Sequence, residues 1–234
     1  MTEYLSPQEW QAVSLSLQVA LWATLLSLPL GILVAHALAR WQFPGKSLLN
    51  GVVHLPLILP PVVTGYLLLI GFGRRGPIGA LLEEYCGLVL AFRWTGAVLA
   101  AAIMAFPLMV RAIRLAIEAV DPKLEAAAAT LGANRLRVFA TITLPLILPG
   151  ILAGAVLGFA KAMGEFGATI TFVSNIPGQT QTLPSAVYAF LQVPGGEGQA
   201  MRLVIVAIAI SMGALLLSEW LARVVARRIG AKEG

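Results

Sequence analysis

The sequence predicts an all-α membrane protein with five transmembrane helices, and three observations carry that prediction. Hydrophobic residues make up 59% of the 234-residue chain and charged residues only 12%, against about 25% charged in a soluble domain, and the mean hydropathy is +0.87. The apolar residues gather into stretches long enough to approach or cross a hydrocarbon core about 30 Å thick, which takes about 20 helical residues. Lys and Arg concentrate on alternate connections between those stretches, the asymmetry that orients a protein in a bilayer.

In chain order, spans are expected at about 11–39, 47–73, 95–120, 146–170 and 203–221. The first is followed rather than preceded by basic residues and lacks the pattern of a cleaved leader, so it is expected to remain in the mature protein. The second contains Pro56, Pro60 and Pro61. Each proline removes a backbone donor and crowds the preceding turn, and carbonyls freed in lipid need protein or a water-filled cavity beside them. Two readings follow, a bend that lines and gates a pathway or a static kink. The run 78–90 is interrupted by Glu83 and Glu84 and is too short to cross, so it reads as an interfacial helix.

The third span leads into "DPKLEAAAATLG". Asp121 is a good N-cap, Pro122 suits the first helical position, and Gly132 supplies the left-handed residue that ends many helices. About ten helical residues, some 15 Å, cannot cross a membrane. A short rod along the surface is expected, with Ala126 to Ala129 offering a face nearly free of side chains, and it reads either as a docking face for another protein's backbone or as a capped connector between two spans. In the fourth span Gly150, Gly154 and Gly158 recur on one face and allow close helix approach, either within the subunit or at a dimer seam. Lys161 and Glu165 share a face of that span, where an ionisable pair is either a pathway element offering positive potential to an anion or a mutually neutralising pair. From about Ser174 the chain turns polar and rich in Pro and Gly, an external loop with one short helix at 184–191.

One side of the membrane collects Arg40, Lys46, Arg111, Arg114, Lys123, Arg135, Arg137, Arg223, Arg227, Arg228 and Lys232, and the other Arg74, Arg75, Arg93 and Arg202. The basic-rich side is cytosolic. The N-terminus, with Glu3 and Glu9, is therefore expected outside and the C-terminus inside, with Arg74 and Arg75 a local exception.

Several functions are not supported. The net charge of +5 comes from scattered residues, with no basic stripe or nucleic-acid module. Cys86 is the lone cysteine, which removes any intrachain disulfide framework or cysteine-based zinc cluster. His36 and His54 have no companions at metal-ligand spacing, so no metal or cofactor is expected. "FPGKS" at 43–47 has Arg40 where a phosphate-binding loop needs Gly, and reads as a turn between spans. The chain has no means of binding ATP, so energy for any active process must come from a partner.

Ala127 and Ala128, then Gly132, then Ile142, Leu144 and Pro145 match the EAA signature of ABC importer permeases. The segments "FPGKSLLNGVVHLPLILPPVVTGYLLL", "FPLMVRAIRLAIEAVD", "LGANRLRVFATITLPLILPGI" and "GEFGATITFVSNIPGQTQTLPSAVY" resemble the molybdate branch of that superfamily over about residues 10–223. The resemblance implies a type I importer permease fold occupying 1–234 as one transmembrane domain, with residues 121–137 as a cytosolic coupling helix region that docks on an ATPase. It also implies a cytosolic ABC ATPase dimer, an extracytoplasmic molybdate-binding protein, a second copy of the chain, and a place in a bacterial inner membrane. The chain departs from the signature at one point. The acid falls on Glu125, one residue before the family position at Ala126, which turns the carboxylate by about 100° around the helix. Import of molybdate is the implied function and sulfate or tungstate the alternative. A secondary transporter would need coupling-ion carboxylates at broken midplane helices, for which Glu165 alone is a poor set.

Overall fold

The computed structural model describes residues 4–230. Glu3 and Lys232, used above in the charge distribution, lie outside them. The described residues form helices and connections with no strand.

Helix α1 (Pro7–Arg40) opens with a capping box, in which the Ser6 side chain accepts from the Glu9 amide and the Glu9 carboxylate accepts from the Ser6 amide. It ends where Trp41 turns extended. A turn through Gly45, at φ +88°, starts α2 (Lys46–Ile58). The expected single span 47–73 is instead two helices, α2 and α3 (Pro61–Phe72), bent by 115°. Its cause is local. Leu59 precedes a proline and is held extended, and the consecutive Pro60 and Pro61 leave no amide to carry the α2 ladder onward. Helix α4 (Pro77–Cys86) is the short helix expected after it.

Helix α5 (Trp94–Ala119) is the central post. Its Ala97, Ala100, Ala101, Met104, Met109, Ile113 and Ile117 are buried, with α1 packed on one side and a later helix on another. Helix α6 (Pro122–Thr130) is the short rod. Then α7 (Arg135–Val138), a π-helical segment (Phe139–Thr143) and α8 (Leu144–Met163) run on as one helix from 135 to 163. That helix starts and stops earlier than the expected 146–170, because the π segment carries helical backbone through the surface turn and the chain leaves the helix at Gly164. Helix α9 (Gly167–Val173), α10 (Leu183–Leu191) and α11 (Glu197–Gly230) complete the chain.

The glycine face of α8 packs within the chain. A Cβ on Gly154 would lie 3.0 Å from Ile113 Cγ1 and 3.2 Å from the Met109 carbonyl oxygen, and one on Gly158 would lie 2.8 Å from Met109 Cε. Both neighbours belong to α5, so these glycines set the α5–α8 distance.

The core divides into two clusters along the bundle. One holds Ala12, Leu68, Ala97, Phe172 and Leu203, and the other holds Leu38, Val53, Ile113, Ile117 and Ile147. Val53 of α2 lies in the second and Leu68 of α3 in the first, so the bent pair passes from one end to the other. Counted as one span, it brings the four long apolar helices to five candidate crossings.

Candidate functional site

At one end, called here the Arg40 end, α6 packs against α7 and the π segment. Asp121 caps it by accepting from the Lys123 amide at 2.9 Å, and Gly132 follows it at φ +82°, a conformation open to glycine and strained for other residues. No residue of α6 is buried. Ala126, Ala127 and Ala129 are exposed and Ala128 half-buried. Beside them Leu131 is 88% and Leu136 77% exposed, large apolar surfaces that water does not favour. Further on, Ile142 and Leu144 are half-buried and Pro145 is exposed.

Glu125 turns away from this face. Its Oε1 accepts from Thr143 Oγ1 at 2.8 Å and from Arg40 Nη2 at 3.3 Å. The same Nη2 donates to the Val120 carbonyl oxygen at 2.8 Å. Four segments thus meet on one carboxylate and one guanidinium: the end of α1, the end of α5, α6 and the π segment. His36 packs edge-on against Trp41 and Phe139, with centroids 5.9 and 5.1 Å away. Between α6 and these side chains lies a cavity of about 330 Å³ lined by His36, Arg40, Glu125, Ala129, Phe139 and Thr143 among others. Arg40 and Thr143 had no sequence signal tying them to Glu125, which lies 85 and 18 positions from them.

The second group expected from sequence also comes together. Lys161 Nζ donates to Glu165 Oε2 at 3.1 Å, and Glu165 Oε1 accepts from the Ala168 amide at 2.9 Å, at the start of α9. Glu165 is 2% exposed. Next to it α9 meets the proline bend: a Cβ on Gly167 would lie 2.7 Å from Pro61 Cβ, and one on Gly65 would lie 2.5 Å from the Ala168 carbonyl oxygen. Pro60 and Pro61 therefore sit at a joint with α9, whereas Pro56 lies inside α2, away from the break.

Among the described residues no group of three His, Cys, Asp or Glu is placed to hold a metal. His54 is occupied, its Nδ1 2.8 Å from the Asn50 carbonyl oxygen. Lys46 closes the α1–α2 turn by donating to the Trp41 carbonyl oxygen at 3.0 Å.

At the opposite, Glu9 end, the Glu9 carboxylate is fully buried and paired with Arg202 at 2.9 Å. The Ser16 hydroxyl accepts from the Leu183 amide at 2.6 Å and so holds α10 against α1.

Residues 27–231 match the family described as binding-protein-dependent transport system inner membrane component. The chain is 64% identical over 226 residues to the molybdenum transport system permease protein ModB of Escherichia coli (strain K12), covering 97% of this chain and 99% of that protein. It is 60% identical over 222 residues to the protein of the same name from Haemophilus influenzae, covering 95% and 97%. Its fold is similar to a chain in the crystal structure of a bacterial alginate ABC transporter in complex with an alginate pentasaccharide-bound periplasmic protein, with a TM-score of 0.75, 18% identity, and coverage of 94% and 80%.

Proposed function

We propose, from the fact that the chain belongs to the family of binding-protein-dependent transport system inner membrane components, that it is the permease subunit of an ATP-driven importer carrying molybdate into the bacterial cytoplasm. The observation that carries the substrate is the 64% identity to a molybdenum permease over 97% of the chain. The fold is that of a type I ABC importer permease, all-α with five crossings. ATP hydrolysis belongs to a separate ATPase subunit and substrate capture to an extracytoplasmic binding protein.

In this reading the Arg40 end is cytosolic, as its Lys and Arg excess favours, so the N-terminus is outside and the C-terminus inside. The exposed Ala127 and Leu131, with the half-buried Ala128 beside them, meet the ATPase, and a backbone nearly bare of side chains allows close approach. Gly132 turns the chain so that Ile142, Leu144 and Pro145 carry the motion into α8. Five crossings in one copy are few for an enclosed pathway, so two copies face each other about a two-fold axis. Alternating access then requires that nucleotide bind the two states with different affinity; the difference arises in the ATPase and reaches the membrane helices through 121–137. The joint between Pro61 and α9 is where a bent crossing meets Lys161 and Glu165. Because Glu165 also caps α9, its first duty is structural, and Lys161 is the member of the pair free to present charge to a passing oxyanion.

Molybdenum accumulation in cells lacking this chain, with excess sulfate or tungstate as competitor, tests the proposal. Loss of accumulation, restored by the wild-type gene and resistant to sulfate, is the expected result. Normal accumulation without the chain refutes it, and suppression by sulfate reassigns the substrate.

A further inference from the structure

The resemblance implies that residues 121–137 dock on an ATPase, and a direct contact there would be the simplest role for the acid. We infer instead that Glu125 is an internal strut, a positioning residue that fixes α6 to the membrane helices through Arg40 and Thr143; this rests on the reading of the chain as an importer permease.

A rod can pass a push to the bundle only through its attachments. Helix α6 has no buried residue, so packing holds it weakly. Its ends are the extended Val120 and Asp121 on one side and the left-handed Gly132 on the other, and both are backbone swivels. Among the described residues, the only side-chain hydrogen bonds from α6 to another element are those of Glu125. They supply the third point that stops the rod rocking on its two ends.

Where the strut lands is equally telling. Thr143 is the last residue of the π segment, in which the Leu144 amide donates to the Phe139 carbonyl five residues back. Such segments are local irregularities in an α-helix and gather at functional sites. Arg40 is the final residue of α1, and its Nη2 also holds the Val120 carbonyl where α5 stops. A displacement of Glu125 therefore loads α1, α5 and α8 together. Arg40 and Glu125 are only 17% and 22% exposed, so solvent screens the pair less than it would at the surface. A carboxylate one position further along, at Ala126, would occupy the exposed face and miss both partners. The one-residue offset in the sequence is what places the acid inside.

The test uses permease and ATPase reconstituted together in liposomes with the molybdate-loaded binding protein, and reads molybdate imported per ATP hydrolysed. Arg40→Gln and Thr143→Val remove partners that lie behind α6, off the face it presents. Each is expected to lower the ratio by about fivefold or more with the ATPase still co-purifying. Thr143→Ser, which keeps the hydroxyl, retains the wild-type ratio. Combining Arg40→Gln with Glu125→Gln lowers the ratio no further than either alone, as expected of residues acting as a unit, and the exchange Arg40→Glu with Glu125→Arg recovers part of the loss. Unchanged ratios in both Arg40→Gln and Thr143→Val overturn the strut. So does release of the ATPase by Glu125→Gln while Arg40→Gln is silent, since Glu125 would then belong to the docking face. If Arg40→Gln does not fold, the Thr143→Val and Thr143→Ser pair decides alone. Wild-type permease that retains no ATPase, or imports no molybdate, would defeat the proposed function rather than the strut.

Discussion

At the Glu9 end of the bundle a fully buried carboxylate meets Arg202 and the Ser6 amide, and a buried serine hydroxyl pins α10 to α1. At the Arg40 end a helix with no buried residue lies over a cavity of about 330 Å³, held by one carboxylate, with Leu131 and Leu136 standing in solvent. Both ends use an Arg–Glu pair that bridges distant parts of the chain. They differ in what surrounds the pair. At one a fully buried carboxylate meets a partly exposed Arg202 and serves to hold; at the other both partners are part-buried beside a cavity under α6 and can transmit. A fully buried carboxylate at one end and a helix with no buried residue at the other suit a transporter that a partner drives from one side.

The contrast predicts a graded series of stabilities, measured as unfolding of the purified chain in detergent. Arg202→Ala should be the most damaging, at about 2 kcal/mol, because it leaves the Glu9 carboxylate buried without its cation. Ser16→Ala follows at about 1 kcal/mol, since the Leu183 amide loses its acceptor inside the protein. Gly132→Val should cost a similar amount, about 1 kcal/mol, for forcing a side chain into the left-handed region, and here transport is the sharper readout: uptake falls further than stability does. Leu131→Ser should change stability by less than about 0.5 kcal/mol, as for other exposed positions, yet weaken retention of the ATPase. If Leu131→Ser destabilised the chain as much as Arg202→Ala, the two ends would not differ in the way described.

Much of the Arg40 end was legible in the sequence. Asp121, Pro122 and Gly132 are local signals, and they mark where α6 starts and stops. The small-residue face of α8 was legible too, although its partner was not: periodicity shows that Gly154 and Gly158 share a face, and only the fold shows that α5 fills it. Pro60 and Pro61 announce a break but carry no information on its angle, which is 115° in the fold, with α3 closely packed on α9. The π segment was invisible, because a register change in the backbone leaves no hydropathy mark, and it moved the start of the fourth crossing from 146 to 135. Least legible were the two bridging pairs. Arg40 and Arg202 read as orientation charges, and nothing local could link the first to Glu125, 85 positions away, or the second to Glu9, 193 positions away. The offset of the acid at Glu125 was visible from the start, while its meaning depended on which way α6 faced.

Amide hydrogen exchange of the permease in detergent, alone and with its ATPase bound, tests the contrast most directly. The account predicts that amides of 122–138 exchange rapidly in the permease alone and slow by about tenfold or more when the ATPase binds, while those of 183–191 are slow throughout. Equal protection of the two segments in the free permease, or no change at 122–138 on binding, would contradict it.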